Sequence, residues 1–210
     1  MTKVKICGLS TQETMRAALD FGADMVGLNF YPKSPRYVSI EQAARLADQA
    51  RGKTKIVALF VDADDILLKA ITASVRPDYL QAHGSETPER IAEISKLFGV
   101  PVIKVIKVKE ASDVASAKAY KEVAELILFE AKAPEDLLPG GNGHSFDWNL
   151  LKGKDGQFML AGGLTPDNVA EAIRLTRAPI VDVSSGVEQL PGQKDVALIR
   201  KFIEAAKSAH

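Results

Sequence analysis

Cys7, Arg36, His83, Glu130 and Asp182 are side chains of this 210-residue chain whose types and positions could do chemistry. Cys7 is its single thiol and ends the first apolar run, KICGL, directly before Gly8. With the two-residue period of a strand, Lys3, Lys5 and Cys7 share one face and Val4 and Ile6 the other. If the Val4/Ile6 face packs on helices, Lys5 and Cys7 point inward, where Asp182 of IVDVSSG would pair the lysine. A cation beside a thiol favours the thiolate, which makes Cys7 a base or nucleophile. A free cysteine in a strand is equally at home as a small buried hydrophobe. Glu130 ends the apolar run ELILF, and a carboxylate so close to a core either pairs with a cation such as Lys107 or Lys132 or has a raised pKa. In the second case it is a proton donor, and an acid facing a base across one site suggests isomerisation. Arg36, in KSPRYVS, carries a planar fork suited to a carboxylate or is a solvated surface residue. His83, in LQAHG, reads as a hydrogen-bonded inner residue within the substrate-binding set.

Two further segments suit an anion. AGGLTPDN puts Gly162 and Gly163 just before a helix start, and DVSSGVE puts Ser184, Ser185 and Gly186 at a strand end, so that backbone N–H groups and hydroxyls converge. A tight turn explains the two glycines alone; both loops together point to a sugar phosphate. Neither is a GxxxxGK[ST] loop, so a nucleoside triphosphate is not expected. His83, His144 and His210 show no HxxxH or HxH spacing and no CxxC occurs, so no metal site is expected.

These residues need elements to hold them. Strand-like runs near 4–9, 25–30, 55–61, 78–84, 100–108, 125–131, 158–164 and 180–186 alternate with eight segments of helical period, including FDWNLLKG and TPDNVAEAIRL. Ser10 three residues before Glu13, and Thr87 and Thr165 each before proline, mark helix starts. Eight repeats in this length predict an α/β fold, a (β/α)8 TIM barrel forming one domain over 1–210. Its active site would lie at the C-terminal strand ends, where Cys7, Asn29, Gln81, His83, Glu130 and the glycine and serine loops fall. The longest irregular stretch is 132–147.

Lysine plus arginine equal aspartate plus glutamate at 27 each, which provides no net field for nucleic acid or an anionic membrane. One cysteine forms no intramolecular disulfide, the N-terminus lacks a secretory pattern, and no apolar run approaches the roughly 20 residues of a membrane span. A cytoplasmic protein is expected, and a monomer is compatible with the sequence.

KICGL, GADMVGLNFYPKSPRYVS, LQAHG, LPGGNGHSFDW, AGGLTPDNV and VDVSSGVE resemble, in order and spacing, the phosphoribosylanthranilate isomerase family of tryptophan biosynthesis. The resemblance implies a (β/α)8 barrel that performs an Amadori rearrangement of N-(5-phosphoribosyl)anthranilate to 1-(2-carboxyphenylamino)-1-deoxyribulose 5-phosphate, with no cofactor or metal. It implies Cys7 as general base, and Glu130 as general acid where the family has aspartate. Arg36 would hold the anthranilate carboxylate. Gly162, Gly163, Ser184, Ser185 and the segment Gly141 to Gly143 would hold the phosphate. This chain departs from the family in reading LQAHG for LQLHG and GGNG for GGTG, besides Glu130. Two other readings compete: indole-glycerol-phosphate synthase or another ribulose-phosphate barrel enzyme, which would leave KICG unexplained, and a non-catalytic sugar-phosphate binder in which Glu130 has spoiled the acid.

Overall fold

The protein is described by a computed structural model covering residues 1–132, 143 and 145–209. Val4 and Ile6 are fully buried in the layer between strands and helices, while Lys5 and Cys7 are buried on the opposite side of the same strand, β1 (Lys3–Cys7). The strand period thus sorts the two faces as the sequence suggests. Seven more strands repeat the pattern: β2 (Met25–Asn29), β3 (Lys55–Phe60), β4 (Tyr79–Ala82), β5 (Val102–Val108), β6 (Leu126–Ala131), β7 (Phe158–Leu160) and β8 (Ile180–Val183). Each pairs in parallel with the next, and β8 returns to β1, closing the predicted barrel. Closure sets Lys5 opposite Asp182, and the β1–β2 register sets Cys7 opposite Gly27. Met25, Val57, Ile103, Leu128 and Met159 fill the interior as an apolar plug, so the polar layer at the strand ends stands on a packed floor rather than over a pore.

Seven α-helices surround the barrel among the described residues: α1 (Gln12–Asp20), α2 (Ile40–Ala50), α3 (Asp65–Val75), α4 (Pro88–Phe98), α5 (Ala111–Ser116), α6 (Val169–Thr176) and α7 (Val196–Lys207). None is long and apolar enough to cross a membrane. Thr87 caps α4 as its Thr-Pro signal predicts, accepting from the Arg90 N–H at 3.3 Å. At α1 the cap is Thr11 rather than Ser10. Thr165 does not begin a helix; residues 165–168 form a turn in which Asn168 Oδ1 accepts from the Thr165 N–H, and α6 starts at Val169. FDWNLLKG is also shorter than expected, a 3-10 turn over Trp148–Leu151 capped by Asp147, with left-handed Gly153 two residues beyond it. Between β8 and α7 the chain adds an unforeseen hairpin, β9 (Glu188–Leu190) and β10 (Gln193–Lys194), joined through Pro191 and Gly192. Gly192 has φ +82°, the left-handed position that Pro-Gly supplies in a tight turn.

Candidate active site

At the C-terminal mouth of the barrel Cys7, Asn29, Gln81, Glu130 and Asp182 line one small cavity with Arg36, His83 and Ser184. Two wider concavities have a different lining: one holds Lys3, Arg174 and Arg177, the other Arg51 and Arg76, and neither is lined by a thiol or a histidine. The chemistry of the sequence therefore converges on the smaller space.

Two glycines make room for Cys7. A Cβ on Gly27 would stand 2.7 Å from Cys7 Sγ, so only glycine leaves space for the sulfur across the β1–β2 pair. Gly8 has φ +78°, and a Cβ there would stand 2.7 Å from Arg36 Cδ. It both turns the chain away from the sulfur and lets the arginine stem lie against the backbone. Below the thiol, Lys5 Nζ donates to Asp182 Oδ1 at 2.9 Å in a buried pair whose aspartate reaches the cavity wall. Burial disfavours the Lys5 charge, but Asp182 and then Cys7 outweigh it and raise the lysine pKa, keeping it an ammonium. Lys5 does favour the Cys7 thiolate, as expected, but it does not set the net direction. Burial pushes the Cys7 thiol up more than Lys5 and Lys194 pull it down, and Asp182 adds to the rise.

Among the described residues Glu130 meets a histidine rather than Lys107 or Lys132. His83 Nε2 lies 2.8 Å from Glu130 Oε2, with both side chains buried. On its other side, His83 Nδ1 is 3.5 Å from Gln81 Nε2, at the limit of a hydrogen bond. The Gln81 Oε1 atom is buried without a hydrogen-bond partner. The two residues flanking Ala82 at the end of β4 thus brace the carboxylate, and they leave an acceptor within the cavity lining.

Arg36 is buried, which removes the solvated-arginine reading. Its loop is set by Asn29, whose Oδ1 accepts from the Tyr31 N–H while its Nδ2 donates to Ser34 Oγ, and that hydroxyl accepts from the Arg36 N–H. The guanidinium meets Glu188 two-pronged, Nε to Oε1 and Nη2 to Oε2, each at 2.8 Å. Glu188 Oε1 also accepts from Lys194 Nζ at 2.7 Å. Burial raises the Glu188 pKa, yet Arg36 and Lys194 together hold it below the ordinary carboxylate range. Neither Glu188 nor Lys194 stood out in the sequence. The signal was their place on either side of LPGQ, a turn that brings both into one hairpin.

The anion loops also converge. Gly162 and Gly163 both have left-handed φ, at +88° and +65°. A Cβ on Gly162 would stand 2.5 Å from the Ala131 backbone nitrogen, and one on Gly186 would run into the Leu164 carbonyl oxygen, so the loop after β7 touches both the end of β6 and the loop after β8. Ser184 lines the cavity and Ser185 and Gly186 open the short 3-10 turn that follows it. Gly143 is left-handed at φ +74°, whereas Gly141, His144 and His210 lie outside the described residues.

Residues 4–205 match the family described as PRAI: N-(5'phosphoribosyl)anthranilate (PRA) isomerase. N-(5'-phosphoribosyl)anthranilate isomerase of Rhodopseudomonas palustris (strain BisA53) is 54% identical over 208 residues, 98% of this chain and 95% of that protein. The enzyme of that name from Bradyrhizobium sp. (strain ORS 278) is 52% identical over 209 residues, with the same two coverages of 98% and 95%. Among solved structures, phosphoribosyl anthranilate isomerase from Thermotoga maritima superposes with a TM-score of 0.89 at 37% identity, covering 99% of each chain. A second, solved in complex with reduced 1-(o-carboxyphenylamino)-1-deoxyribulose 5-phosphate, gives 0.86 at 35% identity over 99% of each chain.

Proposed function

The chain belongs to the N-(5'-phosphoribosyl)anthranilate isomerase family, and from that premise we propose that it isomerises N-(5'-phosphoribosyl)anthranilate to 1-(2-carboxyphenylamino)-1-deoxyribulose 5-phosphate in tryptophan biosynthesis, with Glu130 as acid and Cys7 as base. The observation that carries the residue roles is the shared cavity, in which the only thiol and a histidine-braced carboxylate stand at the ends of β1 and β6.

Glu130 gives its proton to the furanose ring oxygen as the anthranilate nitrogen lone pair forms the C1=N bond and the C1–O bond breaks. Cys7, as thiolate, takes the C2 proton, and the electrons of that C–H bond move toward the iminium to leave an enolamine. The enolamine then tautomerises to the ketone. Glutamate is one methylene longer than the family's aspartate, and the 2.8 Å contact with His83 fixes where that longer arm presents its oxygen. Arg36, with Glu188 behind it, faces the anthranilate carboxylate. The Gly162–Gly163 turn and the Ser184–Gly186 segment offer N–H groups and hydroxyls to the phosphate. Gln81 Oε1 is an acceptor for a substrate hydroxyl or N–H.

The test is the fluorescence loss of phosphoribosylanthranilate with purified protein and no added metal. Turnover that disappears in Cys7→Ser supports the assignment. A folded wild type that binds a product analogue without turnover would sink it in favour of a sugar-phosphate binder.

A further inference from the structure

We infer that Lys194 is a positioning residue for the proposed reaction: from β10 it ties the Arg36 clamp, the loop after β8 and the Cys7 backbone into one buried network. The inference rests on the functional reading given above and adds a residue that reading does not use.

The geometry is complete around the ammonium. Lys194 Nζ donates to the Ser184 carbonyl oxygen at 2.9 Å, to Ser184 Oγ at 3.2 Å and to Glu188 Oε1 at 2.7 Å, and its side chain is 1% exposed. Three acceptors use three N–H donors, so the contacts call for the charged form even though burial lowers the lysine pKa. Ser184 Oγ passes the contact on, donating to the Cys7 carbonyl oxygen at 3.2 Å. Glu188 passes it the other way, to Arg36.

Charge explains why a lysine is needed there. Arg36 and Glu188 together sum to zero, and a neutral pair is a poor receptor for a carboxylate. Adding Lys194 gives the three side chains one net positive charge. With the Lys194 and Glu188 side chains buried, that charge is less screened than one at the surface. It lies beside Arg36, where the carboxylate is proposed to sit, and beside Ser184, where the phosphate is proposed to sit. It also adds to the cationic surroundings of the Cys7 sulfur, which is under the electrostatic influence of Lys5, Asp182 and Lys194 and shares its cavity with Arg36, His83, Glu130 and Asp182. The hairpin packs on the Arg36 loop where Gly192 lies against the Pro35 carbonyl oxygen, and within it the Gly192 N–H donates to Glu188 Oε2 at 3.2 Å.

Two readouts test the inference, steady-state kinetics and the pH titration of the Cys7 thiolate by ultraviolet absorbance, taken as the difference from the same background carrying Cys7→Ser. Because Cys7 is the only cysteine, the titration reports this site alone and needs no substrate. Lys194→Met should raise KM about tenfold or more, as loss of charge-assisted contacts does, with a smaller fall in kcat. It should also move the thiolate midpoint to higher pH, and Lys194→Arg should bring that midpoint back toward wild type. Should the Met variant fail to fold, Lys194→Gln, which keeps a donor for Ser184, is judged by the same criteria. A KM within about twofold of wild type, or an unmoved thiolate midpoint, overturns the inference even where the melting temperature falls, since mere structural support moves stability without either readout. Absence of turnover in wild type sinks the functional reading instead, and the substrate-free titration then decides the role of Lys194 alone.

Discussion

Cys7 and Glu130 divide the proposed chemistry, and their surroundings set different tests for each. The thiol is held above its ordinary pKa, so the thiolate fraction grows as pH rises and kcat/KM should climb through and above neutrality. Cys7→Ser should lose that rising limb and about 10²–10⁴-fold in activity while keeping its fold, which circular dichroism beside the pH–rate profile would check. Activity within a few-fold of wild type would remove Cys7 as base. Glu130→Gln keeps shape and removes the transferable proton, so kcat should fall by about 10²-fold or more, whereas Glu130→Asp, which restores the family's residue, should keep a substantial part of the rate. A Gln variant of near-normal kcat would move the acid elsewhere, to Asp182 in the same cavity or to a water. Glu188 yields a stability prediction with a definite sign. Its folded pKa is depressed by Arg36 and Lys194, so its contribution is present above the unfolded carboxylate value of about 4.3 and fades as pH falls through the lower folded value. The melting temperatures of wild type and Glu188→Gln should therefore differ at neutral pH and converge in acid; a gap that persists in strong acid would show the effect to be packing rather than charge.

The secondary-structure elements carry these residues, and they were legible in the sequence to the extent that their physics is local. The strand period put Lys5 and Cys7 on the inner face because alternation needs no partner to be read, and the Lys5–Asp182 pair followed from the closing of β8 onto β1. The sequence reading departs from the structure where tertiary demands override propensity: eight residues of FDWNLLKG give only a 3-10 turn, and α6 starts late, at Val169, because the Thr-Pro signal at Thr165 is spent on an Asn168-braced turn that presents the Gly162–Gly163 bend, whereas the closing helix stands as α7. The partners of Glu130, Arg36 and Cys7 were illegible for a different reason. His83 lies 47 positions from Glu130, and Glu188 lies 152 from Arg36, so only the closed barrel brings them together. Gly27 is of the same kind, since nothing local in MVGLN explains a glycine that exists for a sulfur on the neighbouring strand. Hairpin β9–β10 is the element whose failure should be most informative. Gly192→Val places a branched side chain at φ +82° and against the Pro35 carbonyl oxygen, a cost of about 1–2 kcal/mol from the backbone alone. By displacing Glu188 it should raise KM more than it lowers the melting temperature would suggest. Unchanged KM with a lower melting temperature would separate the hairpin from the site.

For the whole molecule the question is why a lysine and an aspartate are paired and buried inside a barrel. Lys5 is fully buried in the layer between the apolar plug and the cavity, and its partner Asp182 is 7% exposed. Taking two charges out of water costs more than their attraction commonly returns, so such a pair is weak as a device for stability. Breaking it is another matter. Lys5→Met should strand the Asp182 charge and destabilise the barrel by about 3–5 kcal/mol, read from urea unfolding. Lys5→Met combined with Asp182→Leu removes both charges and lets the two side chains join the apolar plug beneath them, so stability should return to the wild-type value or exceed it by about 1–4 kcal/mol. Activity should not return with it, because Cys7 would lose the Lys5 charge that favours its thiolate and its thiol would sit higher still. Those outcomes would assign the pair to the proposed chemistry of the mouth rather than to the strength of the barrel, and the double variant separates the two. A double variant as unstable as Lys5→Met would show that the pair holds β1 against β8. One both stable and fully active would show that Cys7 works without it.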